Sequence, residues 1–234
     1  MTPADFVDRL ARERCSAILR TPIASAAAPA MEAAVRGGFR IVEFTLTIPH
    51  AFERIAEFAE RAAPGRVKRR AEALNSPRGT MDGEGGHRDL IVGAGTVLTS
   101  DEAREAVRAG ARFLVSPVVD EAVIRTAADL GVAMLPGALT PTEMLRAHRA
   151  GAPLVKLFPA PHDPPAYLRQ VLGPFPFLKI VPTAGVDESN AKAQLAAGAF
   201  AVGFVSSLFP HDLVAKGDWQ GIEERARRLR AASA

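Results

Sequence analysis

The residue of this sequence with the clearest chemical potential is Lys156, which lies inside the apolar run 154–158. Such a run is typical of a buried strand, and burial disfavours the charged form of an amine, which lowers its pKa. A neutral lysine amine can attack a carbonyl carbon and form a Schiff base. A lysine in a strand can also extend its ammonium group to solvent. The run alone therefore leaves a catalytic and a structural role for Lys156 open.

Glu43 is a second charged residue within an apolar run, 41–44. A carboxyl group in such surroundings holds its proton to a higher pH than usual and can act as a general acid or base. The alternative is a structural ion pair with Arg20 or Lys156. Arg20 follows the apolar run 15–19, and its guanidinium group is suited to an anionic part of a substrate. The three residues predict an amine nucleophile, an acid or base, and an anion site.

Two other chemistries fit the sequence less well. A metal-dependent enzyme needs several ligands that converge on one cation, whereas the five histidines are scattered over predicted helices and loops. A serine nucleophile needs a histidine base beside it, and none stands at the end of a predicted strand. The rival amine, Lys179, begins its apolar run and is expected to reach solvent as a structural residue. We therefore expect no metal at the site.

These residues belong to a repeating pattern of strands and helices. Five times a helical segment ends at a glycine and a short apolar run follows, because a glycine in the left-handed conformation ends a helix and turns the chain. Strict alternation over eight units predicts an α/β fold of the (β/α)₈, or TIM-barrel, type. An open doubly wound sheet is the alternative, but it would need a glycine-rich turn after the first strand, where this sequence has Arg20-Thr21-Pro22. Strands are predicted at 15–19, 40–45, 89–93, 112–115, 132–135, 153–158, 178–181 and 199–204.

On this interpretation residues 1–234 form a single barrel domain, with an additional N-terminal helix over 3–14 and a closing helix over 217–232. One segment, at about 64–88, breaks the alternation because it is polar and rich in glycine and arginine. We predict that it is a flexible insertion at the surface. A basic loop that binds a partner is the alternative for this segment.

The composition narrows the class of protein. Of 234 residues, 48% are hydrophobic and 24% are charged, as in an ordinary globular protein. The net charge is +3 and acidic residues are interspersed with basic ones, so we expect no nucleic-acid partner. Cys15 is the only cysteine, which excludes an intrachain disulfide. No apolar run has the length of a membrane span or the form of a signal peptide, so we expect no membrane association and a cytoplasmic location.

In a barrel of this type, residues that do chemistry follow the carboxyl ends of the strands. The motifs at these ends, taken in order, resemble those of the class I 2-keto-3-deoxy-6-phosphogluconate and 4-hydroxy-2-oxoglutarate aldolases (KDPG and KHG aldolases) of the Entner–Doudoroff pathway. The resemblance covers roughly residues 14–210. It rests on Glu-Phe-Thr-Leu-Thr at 43–47, Gly-Ala-Gly-Thr-Val at 93–97, Ser-Pro at 116–117, Pro-Gly at 136–137, Thr-Pro-Thr-Glu at 140–143, Val-Lys-Leu-Phe-Pro-Ala at 155–160, Gly-Pro-Phe at 173–175 and Val-Pro-Thr-Ala-Gly-Val at 181–186.

The resemblance implies a barrel, commonly a homotrimer, that acts on a small-molecule 2-oxo acid. It implies no metal and no other cofactor, because the protonated imine is itself the electron sink. Lys156 matches the lysine that forms the Schiff base, and Glu43 matches the carboxylate that moves protons. The implied substrate-binding residues are Thr96 and Pro117 beside the pyruvate portion, Phe158 beside the imine, Thr183, Gly185 and Ser206 around the remainder and its phosphate, and Arg20, Thr45 and Thr47.

The implied activity is that of an aldehyde-lyase. Its substrate would be 2-dehydro-3-deoxy-6-phosphogluconate, cleaved to pyruvate and glyceraldehyde 3-phosphate, or 4-hydroxy-2-oxoglutarate, cleaved to pyruvate and glyoxylate, or both. Many members have an arginine at the position of Thr47, so Arg20 is the candidate to replace it. Family glycines are replaced by Ala184 and Val205, and these side chains are expected to weaken phosphate binding by backbone N–H groups. The alternatives are an aldolase for a related sugar acid, such as the galactonate series, and a phosphate-binding barrel with another activity, such as an epimerase.

Overall fold

A computed structural model of the protein describes residues 1–62 and 89–234, so the predicted insertion at 64–88 lies outside the described residues. Within this part of the chain, short strands alternate with helices. The strands are β1 (Cys15–Leu19), β2 (Ile41–Thr45), β3 (Ile91–Gly95), β4 (Phe113–Val115), β5 (Ala133–Leu135), β6 (Gly137–Ala138), β7 (Val155–Leu157), β8 (Ile180–Pro182) and β9 (Val202–Phe204). The helices are α1 (Pro3–Glu13), α2 (Ala24–Arg36), α3 (Ala51–Ala62), α4 (Ser100–Arg108), α5 (Glu121–Asp129), α6 (Pro141–Arg149), α7 (Pro164–Leu172), α8 (Ala191–Ala196), α9 (His211–Lys216) and α10 (Trp219–Ala232).

The described strands pair in parallel within two sheets. The larger sheet has the order β5-β4-β3-β2-β1-β9, and the smaller has the order β6-β7-β8. The sheets are joined at two margins: β5 leads through Pro136 directly into β6, and the Phe200 N–H just before β9 donates to the Ile180 carbonyl of β8 (2.8 Å). The molecule therefore has an α/β fold in which parallel strands curl around a common interior.

The eight predicted strand regions all contain a strand, but several predicted boundaries were wrong. The fifth predicted strand, 132–135, is followed at once by β6, and Pro136 separates the two because proline has no N–H to donate to the ladder. The third strand extends to Gly95 rather than ending at residue 93, since Gly95 pairs with Thr45 of β2. Glycine and proline are depleted in strands. The sequence pattern therefore misplaces the end of a strand that contains one of them, even where hydrogen bonds to the neighbouring strand continue.

The predicted glycine turns are confirmed. Each lies between a helix and the following strand and has a positive φ, a conformation that costs glycine little because it has no Cβ. The glycines and their φ angles are Gly38 (109°), Gly110 (107°), Gly131 (70°), Gly151 (101°) and Gly198 (104°). These turns return the chain from each helix directly to the sheet, which brings successive strands into parallel order.

An apolar cluster fills the interior at the amino ends of the strands. Phe6 and Leu10 of α1 belong to it, together with the first residues of β2, β3 and β4. The Phe6 ring stacks on Phe113 with 4.5 Å between ring centroids. Helix α1 begins with a capping box in which Thr2 and Asp5 each accept a hydrogen bond from the other's backbone N–H. The helix thereby covers this end of the interior with apolar side chains.

The closing helix α10 packs against α2 and is joined to it by an ion pair between Arg36 Nε and Glu223 Oε2 (2.7 Å). Arg230 of the same helix donates to the carbonyl oxygen of Glu13 (2.7 Å), which connects the two ends of the chain. Among the helices described, none is both long enough and apolar enough to cross a bilayer.

Candidate active site

Glu43 and Lys156 are 113 positions apart in the sequence and meet in the interior. Glu43 lies in β2 and is 2% exposed, and Lys156 lies in β7 and is 7% exposed. Both side chains line one small interior cavity of about 10 Å³, together with Ser16 and Thr183. Ionisable groups are rarely buried without a reason. The structure therefore brings the predicted amine and the predicted acid together.

Burial displaces both titrations toward the neutral forms. Desolvation raises the pKa of Glu43 above its usual value, and the positive charges of Lys156 and Arg20 oppose this rise. Desolvation lowers the pKa of Lys156, the negative charge of Glu43 opposes that fall, and Arg20 adds to it. Burial thus lowers the pKa of the amine and raises that of the carboxyl group, and the neutral amine is the form that adds to a carbonyl carbon.

The carboxyl group of Glu43 is not held by a structural ion pair at its Oε1 atom. This atom is buried, and it has no hydrogen-bond partner among the described residues. An unsatisfied buried acceptor costs roughly 1–3 kcal/mol, so a folded protein retains one mainly where a ligand or a reaction uses it. The unsatisfied Oε1 atom therefore favours a catalytic role for Glu43 over a purely structural one.

Four predicted binding residues lie at or just after the ends of β1, β2 and β7. The Lys156 Nζ atom is 5.0 Å from the centre of the Phe158 ring, a cation–π distance for the protonated form. Thr45 is buried at the end of β2, and its hydroxyl is 2.9 Å from that of the exposed Thr47. Arg20 is exposed at the end of β1 and acts on both ionisable groups through its charge.

Thr96 and Pro117 follow β3 and β4 and are half-buried. Thr96 has a φ of 62°, which is rare for a β-branched residue and marks local strain. The backbone on its C-terminal side is held by a hydrogen bond from the Val97 N–H to the Val115 carbonyl (3.0 Å). The strained conformation is thus maintained by pairing between neighbouring strand ends.

Thr183, Gly185 and Ser206 lie in the loops after β8 and β9. Thr183 is buried, whereas Gly185 and Ser206 are exposed. The two loops are joined by Ser207, whose hydroxyl donates to the Val186 carbonyl (2.6 Å). Ser207 was not among the predicted site residues, although it is adjacent to Ser206 in the sequence.

Lys179 differs from Lys156 in its surroundings. It is exposed immediately before β8, and its carbonyl accepts from the Val155 N–H (2.9 Å). Its placement agrees with the structural role predicted for it. In the described part of the chain, no three His, Cys, Asp or Glu side chains are grouped so that they could hold a metal ion.

Comparison with known proteins adds an independent finding. A family model described as KDPG and KHG aldolase matches residues 84–225, more than half of the chain. The chain belongs to the KDPG and KHG aldolase family. It is an aldolase, an enzyme of the lyase class.

Several relatives in this family cover most of the chain. A probable 2-dehydro-3-deoxy-6-phosphogalactonate aldolase of Rhizobium meliloti is 34% identical over 194 residues, which is 82% of this chain and 80% of that protein. The KHG/KDPG aldolase of Escherichia coli strain K12 is 30% identical over 202 residues, or 86% of this chain and 83% of that protein. The crystal structure of a 2-keto-3-deoxy-6-phosphogluconate aldolase of Zymomonas mobilis with 3-phosphoglycerate has a TM-score of 0.72 and 28% identity, covering 97% of this chain and 95% of that one.

Gly95 belongs to the Gly-Ala-Gly-Thr-Val motif at 93–97, but no role was predicted for it. A β-carbon at this position would lie 2.6 Å from the carboxyl carbon of Glu43 and closer still to its Oε1 atom. The error in the third strand explains the omission, since a strand that ends at residue 93 leaves Gly95 in a loop. The alternation of Gly93 and Gly95 on one face of a longer strand was the available signal.

Proposed function

We propose that the protein is a Schiff-base aldolase that cleaves a 2-oxo acid to pyruvate and an aldehyde, with Lys156 as nucleophile and Glu43 as proton carrier. The observation that carries the proposal is the buried pair itself: an amine with a lowered pKa and a carboxyl group with a raised pKa line the same cavity. Groups whose surroundings move their pKa values in this way are typical of acid–base sites.

The reaction begins at the ketone. The neutral Nζ atom of Lys156 attacks C2 of the substrate, and proton transfer gives a carbinolamine. The protonated Glu43 donates its proton to the hydroxyl group on C2, which leaves as water while the iminium ion forms. The Glu43 carboxylate that results lies close to this positive charge, and the attraction offsets part of the cost of its burial.

Carbon–carbon cleavage uses the same two residues. Glu43, now a carboxylate, accepts the proton of the C4 hydroxyl group, the C4–O bond becomes a carbonyl, and the C3–C4 bonding electrons move into the iminium to give an enamine. The aldehyde leaves. Glu43 then protonates C3, and addition of water to C2 releases pyruvate and regenerates the Lys156 amine. No oxidant or reductant is needed, because every electron pair stays within the substrate and the imine.

Residues around Glu43 and Lys156 bind the substrate. Phe158, 5.0 Å from the Lys156 Nζ atom, packs beside the imine. Arg20 and the hydroxyl groups of Thr45 and Thr47 take the substrate carboxylate, the part for which many relatives use an arginine at position 47. Thr96 and Pro117 border the pyruvate portion. Thr183, Gly185 and Ser206 orient the remainder of the substrate.

The end of the substrate remote from the imine lies near the loops after β8 and β9. Ala184 and Val205 are half-buried in these loops, and their side chains reduce the room in which backbone N–H groups can approach a phosphate. We therefore propose that the enzyme accepts both 2-dehydro-3-deoxy-6-phosphogluconate and 4-hydroxy-2-oxoglutarate. The two values of kcat/KM test this. Comparable values support weakened phosphate binding, and a preference of 100-fold or more for the phosphorylated substrate contradicts it.

A specific observation favours a second substrate candidate, the phosphorylated galactonate series. The relative from Rhizobium meliloti is 34% identical to this chain, and its name assigns it to 2-dehydro-3-deoxy-6-phosphogalactonate. The two sugar acids differ in configuration at C4, the carbon at which the bond breaks. Assaying the two epimers side by side distinguishes the candidates.

The domain organisation, the oligomeric state and the location of the protein are part of the proposal. We propose that residues 1–234 form a single domain in which the two sheets close into an eight-stranded barrel, with β5 and β6 as one interrupted strand and α1 as an additional helix at the amino ends. The direct continuation of β5 into β6 and the hydrogen bond from Phe200 to Ile180 support closure. We also propose a homotrimer, as the family resemblance implies, and a cytoplasmic location, as the sequence pattern predicts; sedimentation analysis measures the oligomeric state.

Trapping of the imine tests the central claim. The protein is incubated with pyruvate and sodium borohydride, and peptide mass mapping then locates the reduced adduct. The proposal expects one adduct, on Lys156, and loss of aldolase activity in parallel with its formation. The absence of an adduct, or an adduct on Lys179 alone, contradicts it.

A further inference from the structure

The two inward-facing glycines of β3, Gly93 and Gly95, each leave room for one particular side chain. A β-carbon at Gly93 would lie 2.6 Å from Cδ1 of the Phe113 ring and closer still to the outer ring atoms. A β-carbon at Gly95 would meet the carboxyl group of Glu43 instead. Contacts as close as these force an atom to move. One glycine thus admits a core ring, and the other admits the acid of the candidate site.

The backbone around Gly95 cannot easily move away. Gly95 pairs with Thr45 in the ladder between β2 and β3. Its carbonyl oxygen accepts a 2.7 Å hydrogen bond from the Leu46 N–H. Its φ is not in the positive range, so an alanine at this position would meet no backbone strain. A side chain introduced at residue 95 would therefore affect the structure through steric contact with its neighbours and not through backbone strain.

The carboxyl group of Glu43 is the part that can yield. It is the end of a flexible side chain, and its Oε1 atom has no hydrogen-bond partner in the described part of the chain. Phe113, by contrast, is a rigid ring stacked on Phe6 in the apolar cluster. Added bulk at Gly95 is thus expected to displace a catalytic group, whereas added bulk at Gly93 is expected to disturb the core.

We propose that Gly95 is a positioning residue of the aldolase: the absence of a side chain at residue 95 allows the Glu43 carboxyl group to lie against β3 in the position from which it exchanges protons with the substrate. Gly95 itself touches no reacting atom. The inference rests on the proposed role of Glu43, and it adds a steric requirement that the role alone does not contain.

The matched variants Gly95→Ala and Gly93→Ala test the proposal. Gly95→Ala is expected to keep a melting temperature near that of the wild type and to lower kcat by at least roughly 10²-fold, the scale of a lost general acid or base, with KM changed little. Gly93→Ala is expected to lower the melting temperature clearly while kcat per folded molecule falls far less.

Rescue by a shorter acid separates positioning from a general structural effect. In Gly95→Ala/Glu43→Asp the acid is one methylene shorter, and its carboxyl carbon takes the place of the Glu43 Cγ atom, 3.0 Å from the added methyl group, instead of lying at 2.6 Å. Because the closest overlap is relieved, kcat is expected to exceed that of Gly95→Ala by about tenfold or more, although Glu43→Asp alone is impaired. Wild-type kcat in Gly95→Ala, or a double variant no more active than Gly95→Ala, overturns the proposal.

Should Gly95→Ala fold poorly, thermal melting in the Glu43→Ala background decides the question. Removal of the Glu43 side chain is expected to abolish the destabilisation caused by Gly95→Ala, and an equal loss in both backgrounds contradicts the proposal. Failure of the proposed function has a different signature, because the wild type itself would then give no borohydride-trapped adduct with pyruvate.

Discussion

At the amino ends of the strands, Phe6 and Leu10 of α1 pack into a cluster made of apolar side chains. A few residues further along the same strands, Glu43 and Lys156 are just as deeply buried but ionisable. Burial stabilises the first region through the hydrophobic effect and costs free energy in the second through desolvation. One interior therefore has two roles. Side chains at the amino ends of the strands stabilise the fold, and those further along the strands place reactive groups in surroundings that alter their pKa values.

The strongest test of this contrast compares the two lysines of neighbouring strands. Lys156→Met is expected to lower kcat/KM by at least roughly 10⁴-fold, since the nucleophile is lost, and to abolish the pyruvate adduct. Lys179→Met, the matched control, changes an exposed side chain and is expected to stay within about twofold of the wild type. Steady-state kinetics measure both, and activity that survives Lys156→Met contradicts the assignment.

Replacement of the buried acid should have the next largest effect. Glu43→Gln keeps the shape of the side chain but cannot release a proton, so kcat is expected to fall by about 10²–10⁴-fold. Single-turnover measurements separate imine formation from cleavage, and both steps are expected to slow. An effect confined to KM would assign Glu43 to binding alone.

A substitution in the apolar cluster at the amino ends of the strands should affect stability more than activity. Phe6→Ala removes a buried ring and is expected to lower the free energy of unfolding by about 3–5 kcal/mol, measured by urea denaturation. Because Phe6 also borders the cavity that Glu43 and Lys156 line, kcat/KM of the folded protein is expected to fall as well, but far less than in Glu43→Gln. Phe177 is 48% exposed, so Phe177→Ala is a control of the same residue type and is expected to cost about 1 kcal/mol or less. A loss of activity in Phe6→Ala at unchanged stability would remove the distinction between the two ends.

The smallest expected effects are shifts in the pH dependence of pyruvate trapping, in opposite directions for Glu43→Gln and Arg20→Met. The negative charge of Glu43 raises the pKa of Lys156 and the positive charge of Arg20 lowers it. Imine formation needs the neutral amine, so its rate falls as the pH drops through this pKa. Glu43→Gln is therefore expected to move the acid limb of pyruvate trapping to lower pH, and Arg20→Met to move it to higher pH. Shifts of the reverse sign would show that these charges do not act on Lys156 as inferred.

Much of the fold could be predicted because its signals are local. The glycines at the helix ends, such as Gly110 and Gly131, mark turns through their own backbone preference, and the apolar runs mark strands through composition. Boundaries were less accurate where glycine or proline lies within a paired strand, as at Gly95 and Pro136. Strand propensity is a property of the residue, whereas the end of a strand depends on its neighbour across the ladder.

The order of the elements, the family, and the candidates Lys156 and Glu43 follow from the sequence alone, because each of these depends on residue type and position along the chain. That the two candidates, 113 positions apart, line one cavity is a property of the tertiary structure. The placement of the Glu43 carboxyl group against Gly95 is a second such property. The reason is physical: burial, desolvation and steric fit arise between segments that pairing brings together, and a linear pattern does not contain the register of that pairing.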